Sequence, residues 1–157
     1  MRIIVLSDTH GRLRNFNKVY LKQSSADVFF HLGDGLDEVE SMRNAHPAAA
    51  FVAVRGNCDY NSSEPSEKLL VLENKRFFLT HGHEYSVKSG LDKFIEKAKE
   101  QRADAAIFGH THQSFLQYLD GMYILNPGSA ERPRRGKAQF GVIDITGGAL
   151  TVHLSNI

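Results

Sequence analysis

The sequence predicts an α/β protein, and three observations carry that expectation. Short apolar runs recur through the first two thirds of the chain, amphipathic stretches lie between some of them, and the last third changes to strand-like runs joined by glycine turns. With 157 residues the chain suits one domain over residues 1–157, and no repeat, low-complexity tract or Pro/Gly/Ser-rich linker divides it.

The runs Ile3 to Leu6, Val28 to Leu32, Phe51 to Val54, Phe77 to Leu79 and Ala105 to Phe108 are too short for helices and read as buried strands. From Leu91 to Ala98, Leu91, Phe94, Ile95 and Ala98 recur at i, i+3, i+4 and i+7 with Asp92, Lys93, Glu96 and Lys97 opposite, which predicts a helix facing the core. Leu13, Phe16, Val19 and Tyr20 repeat that pattern more weakly. After Gly109, the runs Ser114 to Leu119, Met122 to Leu125, Gln139 to Ile145 and Leu150 to Leu154, with turns at Asp120-Gly121 and Gly147-Gly148, predict an antiparallel meander.

Composition excludes several classes. At 41% hydrophobic and 24% charged residues the chain is neither disordered nor fibrous. Nineteen basic against eighteen acidic residues give a charge of +1, so no global field would hold nucleic acid or anionic lipid, and phosphate recognition must be local. The single cysteine, Cys58, forms no internal disulfide, and the opening apolar run is shorter than a signal-peptide core. No run approaches a membrane helix, and the expected location is the cytoplasm.

Five of the eight histidines, His10, His81, His83, His110 and His112, fall in three short polar clusters. Each early apolar run is followed by such a cluster: Ser7-Asp8-Thr9-His10-Gly11, Gly33-Asp34-Gly35, Arg55-Gly56-Asn57-Cys58-Asp59, Thr80-His81-Gly82-His83 and Gly109-His110-Thr111-His112. Ligands of open α/β sheets bind beyond the carboxyl ends of the strands, so these loops are expected to converge on one site. Asp8 and His10, like His110 and His112, are two apart, and in extended loops both members of a pair would face one centre. Glycines around Asp34 would let the backbone approach closely and free its carboxylate to bridge. Carboxylate, imidazole and the Asn57 carbonyl, without a thiolate pair, suit Mn, Ni, Fe, Zn or Co. Asp8, His10, Asp34, Asn57, His81, His110 and His112 exceed what one tetrahedral ion needs and suffice for two ions sharing Asp34.

In their order, Asp8-x-His10, Gly33-Asp34, Gly56-Asn57, His81-Gly82 and Gly109-His110-x-His112 resemble the motifs of the calcineurin-like metallophosphoesterase superfamily. Asn57-Cys58-Asp59 and Thr80-His81-Gly82-His83 resemble its small phosphodiesterase branch. The resemblance implies two mixed β-sheets packed as a sandwich with helices on both outer faces. It implies one divalent metal, manganese first, on Asp8, His10, Asp34 and His112, and a second on Asp34, Asn57, His81 and His110. Two such ions would hold a bridging hydroxide that attacks the phosphorus of a small phosphate ester. With the two carboxylates and the hydroxide, the centre would keep a positive charge that attracts the ester without a basic surface.

The departure is at Cys58, where most of the family has a histidine placed to protonate the leaving group. Asp34, Asn57, Cys58 and His83 are the expected catalytic positions, but a cysteine thiol is a poor proton donor to the leaving group, and His83 is either a substitute for the missing histidine or a turn residue supporting His81. Asn126-Pro127-Gly128-Ser129 resembles a loop near the metals and also reads as a simple tight turn. Arg132, Arg134, Arg135 and Lys137 are either a solvated face or a site for substrate phosphate. Competing functions are a phosphomonoesterase with the same metal pair and a protein-binding scaffold of the same fold, which would be expected to have lost ligands. A cysteine phosphatase would need an arginine near position 64, where Glu64 stands. Homo-oligomers are compatible with the sequence.

Overall fold

The computed structural model describes all 157 residues as two five-stranded mixed sheets. In chain order the elements are β1 (Arg2–Leu6), α1 (Arg14–Lys22), β2 (Val28–His31), α2 (Leu36–Ala45), β3 (Phe51–Ala53), β4 (Glu67–Leu72), β5 (Lys75–Thr80), a 3-10 turn (His83–Tyr85), α3 (Asp92–Glu100), β6 (Ala105–Ile107), β7 (Ser114–Leu119), β8 (Met122–Pro127), β9 (Gln139–Thr146) and β10 (Ala149–Asn156). The sheet orders are β10-β9-β1-β2-β3 and β4-β5-β6-β8-β7.

Strand periodicity builds the layers. Ile3, Val5, Phe30, Phe77, Leu79 and Ile107 point between the sheets into one buried layer. Their neighbours Ile4, Leu6 and Phe29 face the opposite way, where Phe16 and Val19 of α1 and Val39 and Met42 of α2 cover them. Phe78 and Ala106 of the second sheet face Phe94 and Ala98 of α3. Both faces of the central parallel strands are buried, which is why they read as unbroken apolar runs. Helices thus cover both outer faces, as the resemblance implies.

Two elements escape the sequence pattern. Helix α2 has a narrow stripe of Leu36, Val39 and Met42 and includes the buried Glu38, which breaks the helical signal. Strand β4 is an edge strand that leaves Leu69 38% and Val71 59% exposed, so it lacks clean alternation.

The expected meander is corrected. The strands β7-β8 and β9-β10 are two separate hairpins, one on each sheet: β8 lies parallel to β6, and β9 antiparallel to β1. Turn chemistry sets pairing inside each hairpin, whereas the sheet it joins is decided by packing across the sandwich. A side chain at Gly141 of β9 would strike Leu125 of β8 and Val5 of β1, so the two hairpins meet closely through the core.

Candidate metal centre

The parallel strands β1, β2, β3, β5 and β6 all end at one edge of the sandwich, and the five polar clusters follow them there. The backbone there is not extended, which corrects the geometry expected for the paired residues. Asp8, His10, Asp34, His110 and His112 all have positive φ, from 47° at His10 to 67° at His110. For residues with a Cβ this left-handed conformation is costly and persists only where surrounding contacts impose it, which is frequent at functional sites.

All seven expected donors are brought together. His112 Nε2 is 3.2 Å from Asp8 Oδ1 and 3.0 Å from His10 Nε2. His81 Nε2 is 3.4 Å from Asp34 Oδ2, 3.2 Å from Asn57 Oδ1 and 3.1 Å from His110 Nδ1. Asp34 Oδ2 also lies 3.9 Å from His10 Nε2, so this carboxylate stands between an Asp8–His10–His112 group and a His81–His110 group. His110 and His112 go to different groups.

Other residues fix these side chains. His81 Nδ1 contacts the Leu32 carbonyl at 2.6 Å and His112 Nδ1 the Arg132 carbonyl at 3.0 Å, which leaves each Nε2 facing the centre. Asp8 Oδ2 accepts from Ser7 Oγ at 2.6 Å and from the His110 amide at 3.1 Å. Its other oxygen, Oδ1, is buried without a hydrogen-bond partner. An orphaned carboxylate oxygen facing imidazole nitrogens is what a divalent ion would satisfy, and the oxygen and imidazole donors suit such an ion.

Asp59 carries a role that no sequence motif marked. Its carboxylate accepts from the amides of Asp34 (2.7 Å), Gly35 (3.0 Å), Leu36 (3.0 Å) and Gly56 (2.8 Å), clamping two loops and the start of α2. Gly56 must be glycine, since a Cβ there would lie 2.2 Å from Asp34 Oδ1. Glu38, also overlooked, accepts from the Gly11 and Arg12 amides at 2.5 and 3.0 Å and holds the loop after His10. Their only sequence signals are a carboxylate two places past Asn57 and another four past Asp34. The Asn126-Pro127-Gly128-Ser129 segment is more than a turn: Ser129 Oγ donates to the Asp8 carbonyl at 2.7 Å, and Asn126 Nδ2 donates to the Gly109 carbonyl at 2.8 Å.

Electrostatics follow from two buried carboxylates. Burial opposes charge on Asp8 and Asp34, yet the close His112 imidazole at Asp8 and the close His81 imidazole at Asp34 hold both below the usual carboxylate range. In return, Asp34 raises His81 against its burial, and the close Asp8 carboxylate raises His112. His110 is pushed down to about 4 by burial and by the charge of His81.

Cys58 is exposed, and its amide donates to Asp34 Oδ1 at 2.8 Å. Burial of the sulfur, then the hydrogen bond and charge of Asp34, push the thiol up to about 11. His83 begins the 3-10 turn with its ring centroid 5.4 Å from His81 and 6.1 Å from His110, and its Nδ1 is buried without a partner. Arg132 joins His10, Asp34 and Cys58 around a cavity of about 310 Å³, which puts one member of the basic run at the centre.

Residues 1–148 match the model of the calcineurin-like phosphoesterase superfamily domain. The phosphodiesterase YfcE of Escherichia coli strain K12 is 32% identical over 173 aligned positions, covering 92% of this chain and 88% of its own. A crystal structure of a predicted phosphoesterase from Streptococcus pneumoniae TIGR4 superposes with TM-score 0.85 at 25% identity, covering 99% and 88% of the two chains. The zinc complex of Vps29 from Entamoeba histolytica, at 19% identity, TM-score 0.76 and 99% coverage of both chains, shows a shared fold alone. A whole-chain family match on top of five strand-end motifs gathered at one sheet edge makes this chain a member of the calcineurin-like phosphoesterase superfamily.

Proposed function

We propose that this phosphoesterase is a phosphodiesterase that works with two divalent ions, manganese first. One ion would be held by Asp8, His10, Asp34 and His112, and the other by Asp34, Asn57, His81 and His110. The observation that carries this is Asp34, whose Oδ2 lies 3.9 Å from His10 Nε2 and 3.4 Å from His81 Nε2, between the two donor groups. Such a pair, when bound, polarises phosphoryl oxygens and lowers the pKa of water.

The chain's own residues supply the rest. Asp8 and Asp34 bring the charge that retains cations, and the Leu32 and Arg132 carbonyls hold His81 and His112 in one orientation. Arg132, which lines the cavity, would receive anionic parts of a substrate, and Arg134, Arg135 and Lys137 would extend that attraction to larger esters. With its thiol pushed up to about 11, Cys58 stays protonated at neutral pH, which argues against a thiolate nucleophile and makes it a weak proton donor to the leaving group. Good leaving groups are then favoured over alkyl esters, and the slope of log(kcat/KM) against leaving-group pKa should flatten in Cys58→His.

The test is metal analysis of protein purified without chelator, followed by hydrolysis of bis(4-nitrophenyl) phosphate and 4-nitrophenyl phosphate with Mn, Ni or Zn restored. Two ions per chain and faster diester hydrolysis are expected. Preference for the monoester would make it a phosphomonoesterase, and no hydrolysis with either would favour a binding scaffold, against which the retention of all seven donors speaks. A cytoplasmic location accords with the lone thiol, and no helix is long and apolar enough to cross a membrane.

A further inference from the structure

Two cavities share one wall beside the centre. The first, of about 310 Å³, holds His10, Asp34 and Arg132, and it has Leu36, Asp37, Cys58 and Asp59 in common with a neighbouring cavity of about 460 Å³. By itself the neighbour has the size of a small-molecule pocket, roughly 300–1,000 Å³, which is more room than a phosphoryl group needs. It is a place for another part of the substrate.

Tyr60 lines this second cavity. Its side chain is 84% exposed, more than any other large hydrophobic residue in the molecule. Tyr20, Tyr85, Tyr118 and Tyr123 each pack against another ring, and Tyr60, the fifth tyrosine, does not. A lone exposed apolar side chain is ordinary; what sets Tyr60 apart is its place on a cavity continuous with the centre. The backbone that carries it is held on both sides. Asp59 accepts from the Asp34 amide at 2.7 Å and the Gly56 amide at 2.8 Å, and its own carbonyl accepts from the Ser62 amide at 3.2 Å. Glu64 pairs with Arg43 at 3.0 Å and Lys68 at 2.7 Å. A ring without a partner, on a loop tied to Asp34, is a preorganised face for a flat group.

The walls select among flat groups by charge. Asp37, Glu40 and Glu64 share the cavity with one guanidinium, that of Arg43, which Glu40 and Glu64 already bind. Such walls repel an anion, whereas Arg132 in the first cavity attracts one. We propose that the second cavity is the subsite for one ester group of the substrate, an aromatic group without negative charge, which stacks on Tyr60 while the phosphoryl group sits in the first cavity. This rests on the phosphoesterase reading and narrows its substrate class to ring-bearing esters. Tyr60 is then a specificity-determining residue, and Asp37 disfavours a second anionic group.

The test uses metal-loaded full-length protein and two probes, phenylphosphonate and methylphosphonate, at a pH where both are dianions, with affinity read by calorimetry. Wild type should bind the phenyl probe about fivefold or more tighter than the methyl probe. That ratio should fall to within twofold of one in Tyr60→Ala and persist in Tyr60→Phe, which keeps the ring. A third probe, 4-carboxyphenylphosphonate, should bind more weakly than phenylphosphonate, and Asp37→Asn should narrow that gap. On bis(4-nitrophenyl) phosphate, Tyr60→Ala should raise KM more than it lowers kcat. Equal affinities for the phenyl and methyl probes in wild type, or a phenyl preference that survives in Tyr60→Ala, would overturn the subsite even if esters are hydrolysed. If the preference depends on Tyr60 yet no ester is hydrolysed, the subsite stands and the enzymatic reading falls.

Discussion

The two donor groups that meet at Asp34 are built differently. His81 is completely buried, and its Nδ1 is held by a carbonyl of Leu32, a core residue that directly follows β2. His112 keeps 21% of its side-chain surface, and His10 keeps 16%. His112 is held by the Arg132 carbonyl, in a long loop between β8 and β9. The inner group thus inherits the rigidity of the sheet, and the outer group depends on a connection the sheet does not restrain. Two ions in one centre should therefore differ in hold, the inner one exchanging more slowly.

That contrast can be broken at its shared point. Asp34→Asn should release both ions and lower turnover by about 10³-fold or more, since one carboxylate balances two cations that repel each other. Near wild-type turnover with two ions per chain would remove Asp34 from the bridging position. Next in size is Asp59→Ala, which leaves four backbone amides without their acceptor and should cost about 3 kcal/mol in denaturant unfolding. It should also weaken the inner ion, because the Asn57 loop and the Asp34 loop are tied through it.

The contrast is sharpened by single ligand removals. His112→Ala should lose one ion and keep the other with little change in stability. His81→Ala should lose an ion and also lower stability by about 2–4 kcal/mol, because a fully buried ring leaves a cavity. Equal metal loss and equal stability in the two variants would show that burial and anchoring do not distinguish the groups. The smallest expected change is Ser129→Ala, which removes the bond to the Asp8 carbonyl and should weaken the outer ion about tenfold with about 1 kcal/mol of stability.

Acidity probes both groups at once. His81 and His112 have folded-state pKa values raised by Asp34 and Asp8, so in metal-free protein their protons stabilise the fold below the ordinary imidazole value near 6.5. That contribution is lost as pH rises through the raised values. Metal must displace the same protons, so loading should weaken as pH falls and should release protons, measurable as a buffer-dependent heat of binding. A pH-independent metal affinity between pH 6 and 8 would mean that neither imidazole is a ligand.

The sequence by itself determined the layers and the donors. Runs such as Ile3 to Leu6 are apolar at every position because both faces of those strands are covered, and the glycine-flanked polar cluster after each run marks where a strand must stop. Local chemistry suffices for such features, since strand period, residue type and ligand type are carried by neighbours in the chain. The tertiary structure alone decided what depends on distant partners. It sent β7-β8 and β9-β10 to different sheets, forced Asp8, His10, Asp34, His110 and His112 into left-handed backbone, and gave Asp59 and Glu38 their amide-holding roles. A carboxylate that holds amides 23 to 25 residues away looks, in the sequence, like any surface acid. Its role comes from loop ends brought together by packing the two sheets, and no local pattern encodes that distance.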